Sequence, residues 1–233
     1  MTKEDLKYQI AGLSISDLLL KAASIFPGEV AFSSSMGQED QVITDVIYKN
    51  NIPIRIFTID TGRLFSETYE LIEKTNARYR QHIEIFFPES EGVEKYVKAN
   101  GVNGFYETVE KRKACCYIRK VKPLQRALKD VRIWITGLRS AQSENRKEME
   151  SVEEDFSFNL FKLNPLIHWS YQEVLDYLNE HIVPYNPLHN KGFISIGCQP
   201  CTRAIEPHED PRAGRWWWED SHKECGLHSN PNK

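Results

Sequence analysis

Short apolar runs alternate with segments of helical periodicity along the first half of the chain. Four runs have the length and apolar character of buried strands: VAFSSS (30–35), IRIFTID (54–60), HIEIFFP (82–88) and RIWITGL (132–138). Apolar side chains recur at helical spacing in the segments 4–23, 38–50, 66–79 and 92–101. This alternation predicts strands that are each followed by a helix, after one long N-terminal helix over 4–23.

The second half of the chain is less regular. A helical segment over 105–129 contains the adjacent Cys115 and Cys116, and we expect it to be interrupted near Pro123. Ser170, with Glu173 three residues later, predicts the start of a last helix. The chain after this helix is rich in Pro, Gly, His and Cys and has no sustained period, which indicates irregular structure.

Strands that alternate with helices predict an α/β fold: a mostly parallel sheet flanked by helices, with ligands bound at the carboxyl ends of the strands. Three loops leave those ends, SSSMGQED, DTGRLF and TGLRSAQSENR. Their hydroxyls, glycines and arginines suit a nucleotide-like ligand. We expect residues 1–205 to form one nucleotide-binding α/β domain and 206–233 a mobile C-terminal segment with an irregular tail.

Composition and charge limit the partners and the compartment that we expect for the protein. The 233 residues have a net charge of −3, which gives no global reason to expect nucleic acid or a membrane surface as a partner. The N-terminus lacks a secretory pattern, and no apolar run reaches the roughly 20 residues of a membrane span. We therefore expect a cytoplasmic protein with reduced thiols, whose five cysteines are metal ligands or reactive groups.

Four of the cysteines come as two pairs. The two-residue spacing of Cys198 and Cys201 occurs in zinc sites, iron–sulfur sites and redox pairs. Cys115 and Cys116 complete a set of four thiolates. Neighbouring helical residues point about 100° apart, so their sulfurs reach two irons of a cluster more easily than one zinc ion. The geometry favours a 4Fe-4S cluster and leaves zinc open.

The residues around these cysteines are basic. Lys113, Arg119 and Lys120 are close enough in sequence to offset the negative charge of a cluster held by four thiolates, although a run of this kind also occurs as a solvated helix face. Cys225, between Lys223 and His228, is either a reactive thiol of lowered pKa or an incidental cysteine. The three tryptophans at 216–218 are expected to anchor the C-terminal segment.

Seven motifs together resemble those of assimilatory adenylylsulfate reductases, within the sulfonucleotide reductases. In chain order these motifs are FSSSMGQED, DTGRLFSETYE, CCYIRKVKPL, TGLRSAQSENR, GCQPCTR, RAGRWWWED and KECGLH. The resemblance implies an adenine nucleotide alpha hydrolase-like (ATP-pyrophosphatase-like) fold. The first loop departs from the glycine-rich loop of true pyrophosphatases, which counts against ATP cleavage.

The resemblance also implies an activity and a cofactor. Cys115, Cys116, Cys198 and Cys201 would hold one 4Fe-4S cluster per chain. Cys225 would attack the sulfur of adenosine 5′-phosphosulfate, release AMP and carry an S-sulfo group until thioredoxin, or glutaredoxin, displaces sulfite. Because no thioredoxin-like domain follows KECGLH, we expect a separate protein to supply the electrons.

The resemblance and the chemistry of the ligand together predict the substrate-binding residues. They are Ser34, Ser35, Gly37, Thr61, Gly62, Lys120, Arg146, Arg212, Arg215 and His228. Arg139 and Arg63 are weaker candidates.

Several alternatives remain open at this point. They are the same reaction on 3′-phosphoadenylylsulfate, a non-catalytic metal-binding or redox-sensing module, and an ATP-dependent adenylating enzyme. The sequence leaves the oligomeric state open, a homo-oligomer included.

Overall fold

The computed structural model describes residues 1–142 and 146–219. The α-helices in this part of the chain are α1 Lys3–Ile10, α2 Ile15–Ile25, α3 Gln38–Lys49, α4 Ser66–Tyr79, α5 Ser90–Asn100, α6 Val109–Cys116, α7 Lys122–Ala127 and α8 Tyr171–Glu180. The strands are β1 Val30–Ser33, β2 Arg55–Ile59, β3 Glu84–Phe86, β4 Ile133–Ile135, β5 Val152–Asp155 and β6 Leu160–Leu163.

The strands form one six-stranded sheet in the order β3-β2-β1-β4-β6-β5. Strand β1 is parallel to both β2 and β4, with Phe32 opposite Ile56 on one side and Ile135 on the other. Strand β6 is parallel to β4, and β5 pairs antiparallel with β6 at the edge. The predicted α/β fold with a mostly parallel sheet is confirmed. The strand order reverses at β1 and β4, where open sheets of this kind bind ligands.

The sequence did not predict the hairpin of β5 and β6. Each strand has four residues, and β5 reads VEED, with a single apolar side chain. Lys162 on β6 is buried and lies 2.9 Å from Asp155 of β5. A buried lysine and an acidic edge strand hide the periodicity that marks a strand, so only tertiary pairing reveals this one.

The prediction of one helix over residues 4–23 was wrong, because the segment forms α1 and α2. Gly12 adopts a left-handed conformation at φ +72°, which ends the first helix. The Ser14 side chain then accepts a hydrogen bond from the Asp17 amide and caps α2. By contrast, the predicted start of the last helix is confirmed, since Ser170 and Glu173 form a capping box at α8.

Helix α3 is buried almost along its whole length. Its apolar side chains join the main hydrophobic core together with Phe32 of β1 and Ile135 of β4. The buried Asp45 of α3 accepts hydrogen bonds from the hydroxyls of Tyr79 at 2.6 Å and Tyr177 at 2.7 Å. Hydrogen-bonded polar groups therefore join α3 to α4 and α8, which fixes the helix that follows the first loop.

The helical segment around the adjacent cysteines changes its winding. Helix α6 ends at Cys116, a π-helical turn spans Tyr117–Val121, and α7 begins at Lys122. The Lys122 amide donates to the carbonyl of Tyr117, five residues back. Pro123 has no amide proton, and its ring would clash with the Arg119 carbonyl in an α-helix. The wider π turn accommodates Pro123, and such turns are frequent at functional sites.

The chain divides into two compact units. The first comprises Met1–Thr58, Glu67–Glu84 and Asp130–Pro187; the second comprises Ile59–Ser66, Ile85–Lys129 and Leu188–Lys233, described up to Glu219. The expected C-terminal segment 206–233 stays a prediction. Among the described helices, none combines the length and apolar character that a membrane crossing requires.

Candidate functional site

The loop between β1 and α3 contains three of the predicted nucleotide-binding residues. The backbone amide and the hydroxyl of Ser35 both donate to Asp40 Oδ2, each at 2.6 Å. The hydroxyl of Ser34 accepts from the Met36 amide at 3.1 Å, and Met36 has a left-handed φ of 63°. Gly37 is the N-cap of α3 and has no side chain to cap the helix. The loop therefore has a fixed, tightly turned backbone.

Asp40, in the first turn of α3, is buried and accepts the hydrogen bonds that hold this loop. Burial raises the pKa of its carboxyl to about 6, although the hydrogen bonds from Ser35 act in the opposite direction. A Cβ at Gly137, in the loop after β4, would lie 2.0 Å from Asp40 Oδ1. Only glycine leaves room for the carboxylate there, so the loops after β1 and β4 are packed against each other within the first unit.

The loop after β4 contains the predicted Arg139 and Arg146. Arg139 is buried and donates from Nε to Glu39 Oε1 at 2.9 Å, so its charge is paired within the protein. Gln142 donates to the same carboxylate oxygen at 3.0 Å. Arg146, also buried, donates to the Gln142 side chain. The sequence did not predict that Glu39 organises both candidates for anion binding.

The second unit brings the two cysteine pairs into one region. Cys198 and Cys201 are buried in an apolar cluster with Phe105 and Trp216, and Cys115 packs against that cluster. Cys116 follows Cys115 at the end of α6. None of these four cysteines is joined to another by a disulfide. Cys115, Cys198 and Cys201 therefore lie in one apolar region, and their role as metal ligands stays a prediction.

The predicted Thr61–Gly62 turn contacts this region directly. The Thr61 hydroxyl lies 3.2 Å from Cys198 Sγ. Arg119, in the π-helical turn that follows α6, donates to the Thr61 carbonyl at 2.6 Å. Gly62 has a left-handed φ of +69°, and its amide donates to Asp60 Oδ1 at 2.7 Å. The turn thus connects both cysteine segments by hydrogen bonds.

The thiols are buried among apolar side chains, and positively charged side chains lie near them. Burial raises the pKa of Cys201 to about 12, while the charges of Lys120 and Arg215 act to lower it. Burial also raises the pKa of Cys115, against the charge of Arg119. These thiols need a positively charged partner to become thiolates, and metal binding supplies one. Lys113, in contrast, is exposed on α6.

The described donor set does not gather around one ion. Within residues 1–142 and 146–219, no three His, Cys, Asp or Glu side chains group closely enough to hold one metal ion. A zinc ion needs its sulfur ligands within about 4 Å of one another, whereas a cubane binds them at separate irons. The chemistry of four partly buried cysteines near cations fits the 4Fe-4S cluster, which stays a prediction.

Arg215 is a closely confined cation in this unit. It is buried, and its Nε has no hydrogen-bond partner among the described residues. A Cβ at Gly197 would lie 2.3 Å from Arg215 Nη2, so the guanidinium fills the space beside that glycine. The Arg215 amide donates to the carbonyl of the predicted Arg212. Arg63 is bound elsewhere, donating to Val102 and Asn103.

Of the three tryptophans expected to anchor the C-terminal segment, Trp216 is buried in the cysteine region and Trp218 packs against it. Trp216 is fully buried in the cysteine cluster, whereas Trp217 remains 40% exposed. The sequence did not predict the buried ion pair between Arg112 and Glu219. Arg112 lies four residues before Cys116 on the same helix, and this spacing could have identified Arg112 as a neighbour of the cysteines. The predicted Cys225 and His228 lie outside the described residues.

Comparison with known proteins decides the family. The model of the phosphoadenosine phosphosulfate reductase domain matches residues 29–204. A protein named adenosine 5′-phosphosulfate reductase, from Allochromatium vinosum, is 52% identical over 200 residues, covering 85% of this chain and 78% of the relative. This chain belongs to the phosphoadenosine phosphosulfate reductase family.

Solved structures confirm the fold of this reductase. A phosphoadenylyl-sulfate reductase from Candida auris, in a phosphate complex, superposes with a TM-score of 0.72 at 29% identity, covering 87% of this chain and 96% of that one. Yeast FAD synthetase in complex with FAD gives a TM-score of 0.55 at 15% identity, covering 88% and 68%. The predicted adenine nucleotide alpha hydrolase-like fold and the resemblance to sulfonucleotide reductases are both confirmed.

Proposed function

We propose that this enzyme reduces adenosine 5′-phosphosulfate to sulfite and AMP, with electrons from thioredoxin. The two cysteine pairs in the second unit, with Cys115, Cys198 and Cys201 in one apolar region, are the observation that supports it most strongly. The chain belongs to a family of sulfonucleotide reductases. Relatives that are 52% and 49% identical to it are named for the nucleotide without the 3′-phosphate. A metal-binding module without activity would leave the family match and the nucleotide loops unexplained.

Cys115, Cys116, Cys198 and Cys201 would hold one 4Fe-4S cluster. When bound, the cluster supplies a local electrostatic field, and the thiol chemistry below needs no electrons from it. The Thr61 hydroxyl lies 3.2 Å from the Cys198 sulfur and would donate to it as a thiolate, and the positive charges of Lys120 and Arg215 act on Cys201. These residues would stabilise a site that four thiolates make anionic.

The loops of the first unit would bind the nucleotide. Ser34, Ser35 and Gly37 would line the nucleotide at the carboxyl end of β1, where sheets of this order bind ligands, in a loop held by the hydrogen bonds from Ser35 to Asp40. Arg146 would contribute positive charge from the loop after β4. Arg139 is a weaker candidate, because Glu39 neutralises it.

The proposed reaction has two steps. The Cys225 thiolate attacks the sulfur of the sulfonucleotide, the S–O bond to AMP breaks, and Cys225 carries a thiosulfonate. A thioredoxin thiolate then attacks the Cys225 sulfur, and sulfite leaves with the bonding electron pair. The second thioredoxin thiol resolves the mixed disulfide. Two electrons pass from the dithiol to sulfur, which balances the reaction. A cytoplasmic location, where thioredoxin is kept reduced, suits this chemistry.

Cations are needed because an anionic nucleophile approaches an anionic substrate. Lys120, Arg212, Arg215 and His228 would offset this repulsion, with arginine donating paired hydrogen bonds to phosphate or sulfate oxygens. In the second unit, Thr61 and Gly62 would add hydroxyl and backbone contacts to the substrate.

Anaerobic purification tests the proposal directly. We expect brown protein with about four irons and four sulfides per chain. With reduced thioredoxin it is expected to release sulfite from adenosine 5′-phosphosulfate. Colourless protein loaded with zinc and lacking this activity would contradict the proposal.

The Cys225→Ser variant tests the nucleophile. It is expected to lose turnover and to form no covalent adduct with ³⁵S-labelled substrate, while its iron content and colour match the wild type. Retained turnover would remove Cys225 from the proposed role without touching the cluster assignment.

The second candidate is the same reaction on 3′-phosphoadenylylsulfate. It is favoured by the description of the matching family and by the substrate named for the Candida auris structure. Sulfite release measured side by side on the two nucleotides separates the candidates, and we expect a higher kcat/KM for the nucleotide without the 3′-phosphate.

A further inference from the structure

Arg112 and Glu219 form a buried ion pair with two parallel hydrogen bonds. Arg112 Nε lies 2.7 Å from Glu219 Oε1, and Nη2 lies 2.9 Å from Oε2. Both side chains are nearly inaccessible to solvent. Bidentate pairs of arginine and carboxylate fix direction as well as distance. The carboxyl group of residue 219 is therefore held in one orientation.

Arg112 makes further contacts to the cysteine region. Its guanidinium carbon lies 4.5 Å from the centre of the Trp216 ring. Trp216 itself packs with Cys198 and Cys201. Arg112, on the helix that ends at Cys116, thus contacts both the tryptophan beside the other cysteine pair and the carboxylate at residue 219.

The backbone of the same segment is strained. Trp216 has a φ of 43°, a left-handed conformation that is costly for a bulky side chain. Its amide donates to the Cys201 carbonyl at 3.2 Å, and its carbonyl accepts from the Glu219 amide at 2.9 Å. Such strain persists only where surrounding contacts determine the conformation. The path of the chain from Trp216 to Glu219 is therefore imposed by its partners.

Glu219 precedes Cys225 by six residues in the sequence. A fully extended chain of that length spans at most roughly 20 Å. Fixing residue 219 therefore fixes the point from which the chain to Cys225 starts.

We propose that the Arg112–Glu219 pair positions the chain that carries the nucleophile. The pair holds Glu219, from which the chain continues to Cys225, beside the region of the predicted cluster cysteines. This inference rests on the proposed function, since it takes Cys225 as the attacking thiol. Arg112 and Glu219 act as positioning residues and touch neither substrate nor reacting atoms. Their contribution is expected in the rate of the first chemical step, with nucleotide affinity unchanged.

The test is single-turnover formation of the ³⁵S-labelled Cys225 adduct in anaerobically purified enzyme, together with iron content, visible spectrum and AMP affinity. For Glu219→Gln we expect the adduct to form at least tenfold more slowly, with iron per chain, spectrum and AMP Kd unchanged. Because this variant leaves the buried Arg112 charge unpaired, Arg112→Gln/Glu219→Gln serves as a second variant without such a charge. The same loss of rate is expected there.

Glu209→Gln is the matched control. It removes a carboxylate from another bidentate pair in the same unit, with Arg203 at 2.8 and 2.7 Å, which is partly exposed. Its adduct formation is expected to stay within twofold of wild type. A wild-type rate in a folded Glu219→Gln or double variant would overturn the inference, as would a loss of rate that matches the loss of iron or of AMP affinity. If wild-type enzyme forms no adduct at Cys225, the proposed function itself fails.

Discussion

The hydroxyl of Thr61 lies 3.2 Å from the sulfur of Cys198, in the turn that follows β2. A hydroxyl that donates to a thiolate forms a charge-assisted hydrogen bond, and such bonds contribute about 1.5–3 kcal/mol. The contact joins a residue predicted to bind substrate to a residue predicted to bind iron. Thr61 therefore has a structural role in the cysteine region, whether or not it also contacts the nucleotide.

Thr61→Val is expected to weaken the cluster site. Valine has nearly the same shape but no donor, so the Cys198 thiolate loses its hydrogen bond. We expect iron release to a chelator to be about tenfold faster than in wild type, which corresponds to roughly 1.4 kcal/mol, as followed by the loss of visible absorbance. Thr61→Ser keeps the hydroxyl and is expected to release iron at the wild-type rate; equal rates for valine and wild type would contradict the assignment.

Gly137→Ala is expected to disrupt the nucleotide loops. The new Cβ would lie 2.0 Å from Asp40 Oδ1 and would displace the carboxylate that holds Ser35. Overpacking of this kind costs about 1–3 kcal/mol. We expect a lower Tm and weaker AMP binding by calorimetry. Gly92→Ala, inside α5 and with its nearest neighbour at 3.4 Å, is the control and is expected to leave both unchanged.

The raised pKa of Asp40 predicts that the free energy of unfolding depends on pH. Burial raises its pKa to about 6, so between about pH 4 and 6 the folded protein binds a proton that the unfolded chain has released. Stability contributed by this group is therefore present at low pH and lost as pH rises through 6. Between pH 7.5 and pH 5 the gain is on the order of 1 kcal/mol.

Urea unfolding of wild type and Asp40→Asn at the two pH values measures this contribution. The free energy of unfolding of wild type, relative to Asp40→Asn, is expected to be lower at pH 7.5 than at pH 5. A difference that does not change with pH would show that Asp40 keeps an ordinary pKa in the folded protein.

Arg215→Lys tests the confined guanidinium. Lysine keeps the charge but cannot fill the space beside Gly197 or donate two parallel hydrogen bonds to an oxyanion. We expect kcat/KM for the sulfonucleotide to fall at least tenfold, with iron content unchanged. Arg126→Lys, at a more exposed pair with Glu89, is expected to retain wild-type kinetics, and equal kinetics for both variants would exclude Arg215 from substrate binding.

The sequence by itself determined the fold class and the family. Alternation of apolar runs and helical periodicity predicted β1 to β4, because β1, β2 and β4 are short apolar runs that the sheet buries. The two pairs Cys115–Cys116 and Cys198–Cys201 predicted a metal site, because together they supply four thiolates. The motifs also predicted the family that the comparisons confirmed.

Only the tertiary structure decided how these residues are supported. The neutralisation of Arg139 by Glu39 and the Arg112–Glu219 pair join residues far apart in sequence, and β5 pairs with β6 although its sequence lacks a strand pattern. No local period records such contacts, since each depends on burial that the complete fold creates. For the same reason, sequence could name Lys120 and Arg215 as cations, but the apolar cluster around Trp216 had to be seen before their effect on the thiols could be understood.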